Sequence, residues 1–117
     1  MYLNVSQLVG ENAMTLHDGE QVFRSIHDPL LHGDTVELDF EGVRVFASPF
    51  FNAGIGALLQ DLPAEALKSR LKIAHISDSG ARVMRRVIDN AKEFYSSSSA
   101  HREAISTIAT DTGNSMR

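Results

Sequence analysis

The stretch Thr35-Val36-Glu37-Leu38-Asp39-Phe40-Glu41-Gly42-Val43-Arg44-Val45-Phe46-Ala47-Ser48-Pro49 decides the fold. Its first six residues alternate and put Val36, Leu38 and Phe40 on one face, the period of a half-buried strand. Glu41-Gly42 interrupts the pattern and Val43–Phe46 resumes it briefly. Ser48-Pro49 then predicts a helix start. A serine hydroxyl can accept from the free N–H groups of the first turn, and the donor that proline lacks is not needed there. Phe51, Ile55, Leu58, Leu59 and Leu62 follow as a helical core stripe.

Working outward, Tyr2-Leu3-Asn4-Val5 reads as a first strand and Gly10-Glu11-Asn12 as a turn. Thr15 with Asp18, or Asp18 with Gln21, can form a capping box. The helix behind it carries Val22, Phe23, Ile26 and Leu30, and Pro29 predicts that it ends near Asp28 or kinks there. Downstream, Pro63–Leu67 reads as a short helix. Leu71–Ile76 reads as a strand with Leu71, Ile73 and a half-buried His75 facing one way. Ser77-Asp78-Ser79-Gly80 offers caps for a long final helix. Val83, Val87, Ala91 and Phe94 form one face of it, with Met84, Ile88 and Tyr95 beside them. Ser96–Ser99 reads as a break. Residues 97–117 hold six hydrophobics and read as a flexible tail, where Ala104, Ile105 and Ile108 could form a helical turn against a partner. The alternation predicts a small α/β domain over residues 1–96, a mixed β-sheet of about four strands with helices mainly on one face.

A chain of 117 residues is one domain with room for a real core. It has no Cys, which excludes disulfides, thiolate metal sites and Cys nucleophiles. No Lys or Arg precedes Arg24, so no secretory leader is expected and a cytoplasmic location is. The net charge of −4 argues against a general nucleic-acid binder. That charge is split: residues 1–65 carry −8 and residues 66–95 carry +4. Either the basic part packs beside the acidic part, or one sign forms a surface that steers a partner.

The catalytic inventory is thin. The five histidines make no metal-ligand pair at helical spacing, and no metal is expected. Gly54-Ile55-Gly56 lacks the third glycine of a dinucleotide fingerprint. Ser48 has no nucleophile-elbow setting. Asp39 and Glu41 read as solvent-facing or as caps of the following turn. No catalytic residue and no cofactor is expected.

From Val45 to Gln60 there is no charged residue, a run of 16. As a helix it would reach ~24 Å at ~1.5 Å per residue, short of a ~30 Å hydrocarbon core, so no membrane span is expected. A surface helix usually carries charge on its outer face. Here Asn52, Gly56 and Gln60, four apart, would form a small uncharged outer stripe, with Phe50 nearby. Such a helix is either covered inside the monomer or meets another protein.

These residues carry a resemblance. The run Val36–Gly56, with Asp18-Gly19 and Val22 before it and Val83–Ile88 with Asn90-Ala91 after it, resembles the STAS family. That family includes anti-sigma-factor antagonists and the tails of sulfate transporters. The likeness is closest to the bacterial STAS-like domains of unassigned function, and it leaves the tail out. It implies a non-enzymatic regulatory module. In the antagonists a histidine-kinase-fold ATP-binding protein is the partner, and serine phosphorylation at the start of the helix after the central strand controls binding. Carried over, Ser48 is the phospho-acceptor candidate, and Pro49, Phe50, Asn52, Gly56 and Gln60 are the partner-binding candidates on the helix at 49–60. The pattern departs from the antagonists. Anchored on Gly54-Ile55-Gly56, their Asp-Ser falls on Phe51 and Asn52; anchored on the strand end, Ser48 fits, but Ala47 replaces the acid and Pro49 follows. The alternatives are a homodimeric subunit using the same helix and a small-ligand or nucleotide-binding domain.

Overall fold

Strand alternation, helix caps and glycine contacts between helices build this molecule. In the computed structural model, which describes residues 1–100, the elements run β1 (Tyr2–Asn4), α1 (Val5–Val9), β2 (Asn12–Ala13), α2 (Leu16–Leu31), β3 (Val36–Asp39) and β4 (Val45–Phe46). They continue as α3 (Ser48–Gly54), a 3-10 turn η1 (Gly56–Gln60), α4 (Ala64–Arg70), β5 (Leu71–Ala74) and α5 (Asp78–Ala100). A three-stranded parallel sheet has the order β1-β3-β5, and β2 pairs with β4 in a separate parallel ladder. The expected mixed sheet of about four strands is thus corrected to two small parallel sheets. β4 lies in the stretch Val43–Phe46 where alternation resumes, whereas its partner β2 overlaps the expected turn at Asn12 and, at two residues, is too short to show a period.

Register explains the one-sided packing. Leu3, Leu38 and Ile73 are aligned across the sheet, and Val36 faces Leu71; these side chains join the core. The neighbouring rung of Tyr2, Glu37 and Lys72 is exposed, so the other face is open. A parallel sheet usually has both faces covered. Here three short strands suffice with one, because the helices meet the apolar rungs and the polar rungs stay in water.

Caps set the element ends. Asn4 Oδ1 accepts from the Gln7 N–H at 2.9 Å, turning β1 directly into α1, a helix the first-strand reading does not contain. Thr15 Oγ1 accepts from the Asp18 N–H at 3.0 Å and starts α2. α2 runs three residues past Asp28 to Leu31, so Pro29 lies inside the helix rather than ending it. Pro29 lies in the last turn, where its ring removes the one hydrogen bond to the Ser25 carbonyl, and Gly33 stops the helix instead. Gly33 has φ +97; its N–H reaches Leu30 O at 3.1 Å and the Asp34 N–H reaches Pro29 O at 2.9 Å. Ser77 Oγ caps α5 by accepting from the Gly80 N–H at 3.1 Å. The helical backbone then crosses the serine run to Ala100, because serine is a tolerable helix former and nothing in 96–99 is Gly or Pro. The expected tail falls, from residue 101 onward, outside the described residues.

The densest helix contact is α2 against α3, and glycines permit it. A methyl on Gly19 would sit 3.0 Å from Ala53 Cβ and 3.1 Å from Gly54 N, with Phe50 O nearer still. A methyl on Gly54 would meet Gly19 O at 3.2 Å. Phe50 and Phe51, both fully buried, cross edge to face with centroids 5.3 Å apart. Gly19→Ala should destabilise by about 2–3 kcal/mol through overpacking against backbone that cannot yield. Gly54→Ala should cost about 1 kcal/mol, since only a few tenths of an ångström must be found. Denaturant unfolding of the two variants checks that order.

Candidate functional site

The uncharged segment does not form one helix. α3 ends at Gly54, Ile55 breaks the helical geometry at φ −121, and η1 continues with a tighter pitch. Three-per-turn geometry abolishes a stripe built on a spacing of four. Asn52, Pro49 and Gln60 are exposed or half-exposed, as expected, but Gly56 is buried. A methyl at Gly56 would lie 3.3 Å from Val87 Cγ1 and 3.5 Å from Ala91 Cβ, so α5 covers it. Phe50 is 0% exposed and belongs to the core. The outward stripe is therefore corrected: the segment is wedged between α2 and α5, Gly54 against the first and Gly56 against the second. Ser48 is also not the cap. Ala47 holds the extended N-cap position with no side-chain hydrogen bond, and Ser48 is the first helical residue, half-buried, followed by Pro49.

What the wedge does present is a small, neutral ridge between two shallow grooves that share Ala57. One groove, about 290 Å³, runs from Asn52 and Ala57 to Phe94 and Tyr95 of α5. The other, about 300 Å³, runs from Ala53 and Ala57 to Leu16 and Phe23 of α2. Leu16 and Phe94 flank the ridge, 56% and 62% exposed. The helical phase of α5 predicts Phe94 on the core face. Instead it stands outside with its ring edge to face on Tyr95, because the covering elements stop short of this turn.

A second constellation escapes the sequence pattern. Asp39, the last residue of β3, lies on the open face of the sheet yet is 5% exposed. Tyr2 Oη donates to its Oδ2. Its Oδ1 takes the Glu41 N–H at 3.0 Å and lies 2.9 Å from His75 Nδ1. Alternation predicts His75 as a half-buried member of the β5 face. β5 instead stops at Ala74, and His75 turns into the left-handed region at φ 56, which swings its largely exposed ring over Asp39. The other expectation, that Asp39 caps the following turn, holds in the Glu41 contact. The signal that could have found this group is the placement of Asp39 and His75 near the carboxyl ends of two expected strands.

The electrostatics follow. The Tyr2 hydroxyl, then the Glu41 N–H and His75, hold the Asp39 carboxyl down to about 2. The hydrogen bond to Asp39 raises His75 above its ordinary value and likewise keeps the Tyr2 phenol protonated. A second strap sits elsewhere: His27 Nε2 meets Asp61 at 2.7 Å and Nδ1 meets Asp28 at 3.1 Å, raising His27, chiefly through Asp61. Asp39, Glu41 and His75 each offer a ligand atom, all within 4.8 Å of one another. Both Asp39 oxygens are already engaged, however, so a cation would have to displace the Tyr2 or His75 bond. The group is chemically a lock that ties the start of β1 to the carboxyl ends of β3 and β5.

The signs for pH are opposite at the two ends. The raised His75 stabilises fully below about 6.5, and that contribution is lost as pH rises through its folded value. The lowered Asp39 stabilises above about 3.9, and that contribution is lost as pH falls through about 2. His75→Asn keeps a residue that tolerates the left-handed backbone. Its stability deficit against wild type should be largest near pH 5–6 and shrink toward both extremes. Urea unfolding of both proteins at a series of pH values checks this, and subtracting the two curves removes the His27 contribution.

Among the described residues no Lys or Arg lies within 4.0 Å of a carboxylate, since every such pair there involves a histidine. Glu37 of β3 stands in register opposite Lys72 of β5, but the two do not form a contact ion pair. No helix among the described residues is long and apolar enough to cross a membrane.

The family described as "STAS-like domain of unknown function (DUF4325)" matches residues 18–81. The match takes in α2 from Asp18 onward, the central strand β3, the whole α3–η1 wedge and the start of α5. No curated protein and no solved structure matches the chain. The family match spans more than half of the 117 residues and includes both the glycine crossing and the strand that carries Asp39, and the chain belongs to the STAS-like domain family.

Proposed function

We propose that this domain is a non-enzymatic regulatory module that binds a protein partner through the ridge of α3 and η1. The observation that carries the reading is the ridge itself: Asn52, Ala53 and Ala57, small and uncharged, between two grooves flanked by the exposed Leu16 and Phe94. A partner covering it would desolvate mostly apolar surface, with Glu20 at the α2 side as the one charged group on the groove linings, and an interface centre poor in charge is the favoured composition. Pro49, Asn52 and Gln60 are the members of the expected contact set that reach the surface. Under this reading the partner is a regulator of the kind STAS antagonists bind, an ATP-binding protein of the histidine-kinase fold. Ser48 is the point of control. Phosphorylation would add about −1.5 to −2 charges beside a neutral surface and weaken its apolar contacts.

Affinity capture with the full chain from its source cell, followed by titration of the purified partner, tests this. Asn52→Arg places a charge on the ridge at an exposed position and should weaken binding at least tenfold. Ser48→Asp should weaken it less, and Glu37→Gln, on the open sheet face, should leave it unchanged. Equal binding by wild type and Asn52→Arg removes the ridge from the interface. Light scattering across concentrations reads the homodimer alternative: self-association that Asn52→Arg abolishes would make the partner a second copy.

A further inference from the structure

A third groove lies away from the ridge. α4 forms one wall of it, α5 the opposite wall, and the inner face of β5 the floor. Its volume is about 350 Å³, within the range of small-molecule sites. Leu71 and Ile73 floor it, and Met84 and Ile88 line the α5 side. All four are only half-buried, whereas Val36 and Leu38 on the central strand are fully buried. The difference arises because β5 is an edge strand, and the space beyond it has no protein filling.

The rim supplies the charge. Lys68 of α4 and Lys92 of α5 stand on opposite walls, both exposed, and neither makes an ion pair among the described residues. Glu65 is the one acid on the rim, which leaves a single net positive charge. Lysine stems can lie along the apolar walls with their ammonium groups at the mouth. An apolar trough with two ammonium groups over it is complementary to one ligand chemistry, an aliphatic chain ending in a single anionic head. At ~30 Å³ for each water-sized portion, the groove holds about twelve non-hydrogen atoms.

We propose that the groove between α4, β5 and α5 binds a free medium-chain carboxylate, its chain on Leu71, Ile73, Met84 and Ile88 and its head between Lys68 and Lys92. The chain's burial supplies affinity and the two lysines select the anion. The site is independent of the ridge and of any partner there.

Titration calorimetry of the full chain with sodium decanoate, kept below its self-association range, tests this beside 1-decanol and decyltrimethylammonium. Wild type should bind decanoate saturably, one to one, and should bind the cationic amphiphile at least tenfold more weakly. The double variant Lys68→Gln/Lys92→Gln alters exposed positions only and should unfold at the wild-type midpoint. It should bind decanoate about fivefold more weakly, about 1 kcal/mol at ~1.4 kcal/mol per factor of ten, with decanol unchanged. No saturable binding of decanoate overturns the proposal. So does equal binding of all three amphiphiles, or association only with phosphatidylglycerol vesicles and not with the free acid.

Discussion

The contact on which the rest of the molecule depends is the crossing of α2 over α3 at Gly19 and Gly54. Two backbones approach there with no side chain between them. That approach seats Phe50 and Phe51 in the interior and brings the 16-residue uncharged run under α2. Two residues later Gly56 repeats the device against Val87 and Ala91 of α5. The Gly-Ile-Gly sequence is therefore a pair of spacers facing different helices, with fully covered Ile55 between them. A side chain at Gly19 would push α2 off the α3 backbone at Phe50, Ala53 and Gly54, and Phe51 of that helix is part of an aromatic cluster with Phe40 and Phe46 whose centroids are about 6 Å apart.

The glycine wedge also explains the working surface. Because α3 and η1 are held so deeply, the half-buried Ala53 and Ala57 form a low ridge between taller neighbours on α2 and α5. Two grooves follow from that difference in height. The sheet shows the opposite arrangement. Its outer face is open and polar, and the hydrogen-bonded group of Tyr2, Asp39 and His75 closes one end of it. The lock joins strands far apart in sequence, and charge-assisted bonds of this kind are stronger than neutral ones. The His75 part of that contribution depends on its ring remaining protonated, so the lock weakens as pH rises through the folded value of His75.

Much of the architecture could be read locally. Alternation located β3 and β5, hydroxyl caps at Thr15 and Ser77 located the starts of α2 and α5, and the pattern from Val36 to Gly56 pointed to the right family. The candidate site was legible only in part. Asn52 lies at the surface because its neighbours on α3 fill the core, and that much periodicity predicts. Gly56 is buried, against expectation, because a spacing of four presumes an unbroken α-helix and Ile55 breaks it; Phe50 is buried because its ring packs edge to face on Phe51 in the core. Phe94 was misplaced because an apolar residue in helical phase is buried only if something lies opposite it.

By itself, then, the amino-acid order determined what neighbours along the chain can decide: which segments alternate, which hydroxyls cap, where charge is missing, and which family the chain joins. Tertiary structure alone decided what depends on residues far apart in the chain. It set Gly19 against Gly54, placed His75 and Tyr2 over Asp39, and left the groove beside β5 unfilled. The physical reason is the range of the forces involved. Propensity and capping act within one turn, whereas the burial of a carboxylate or the absence of a Cβ matters only once a distant backbone arrives.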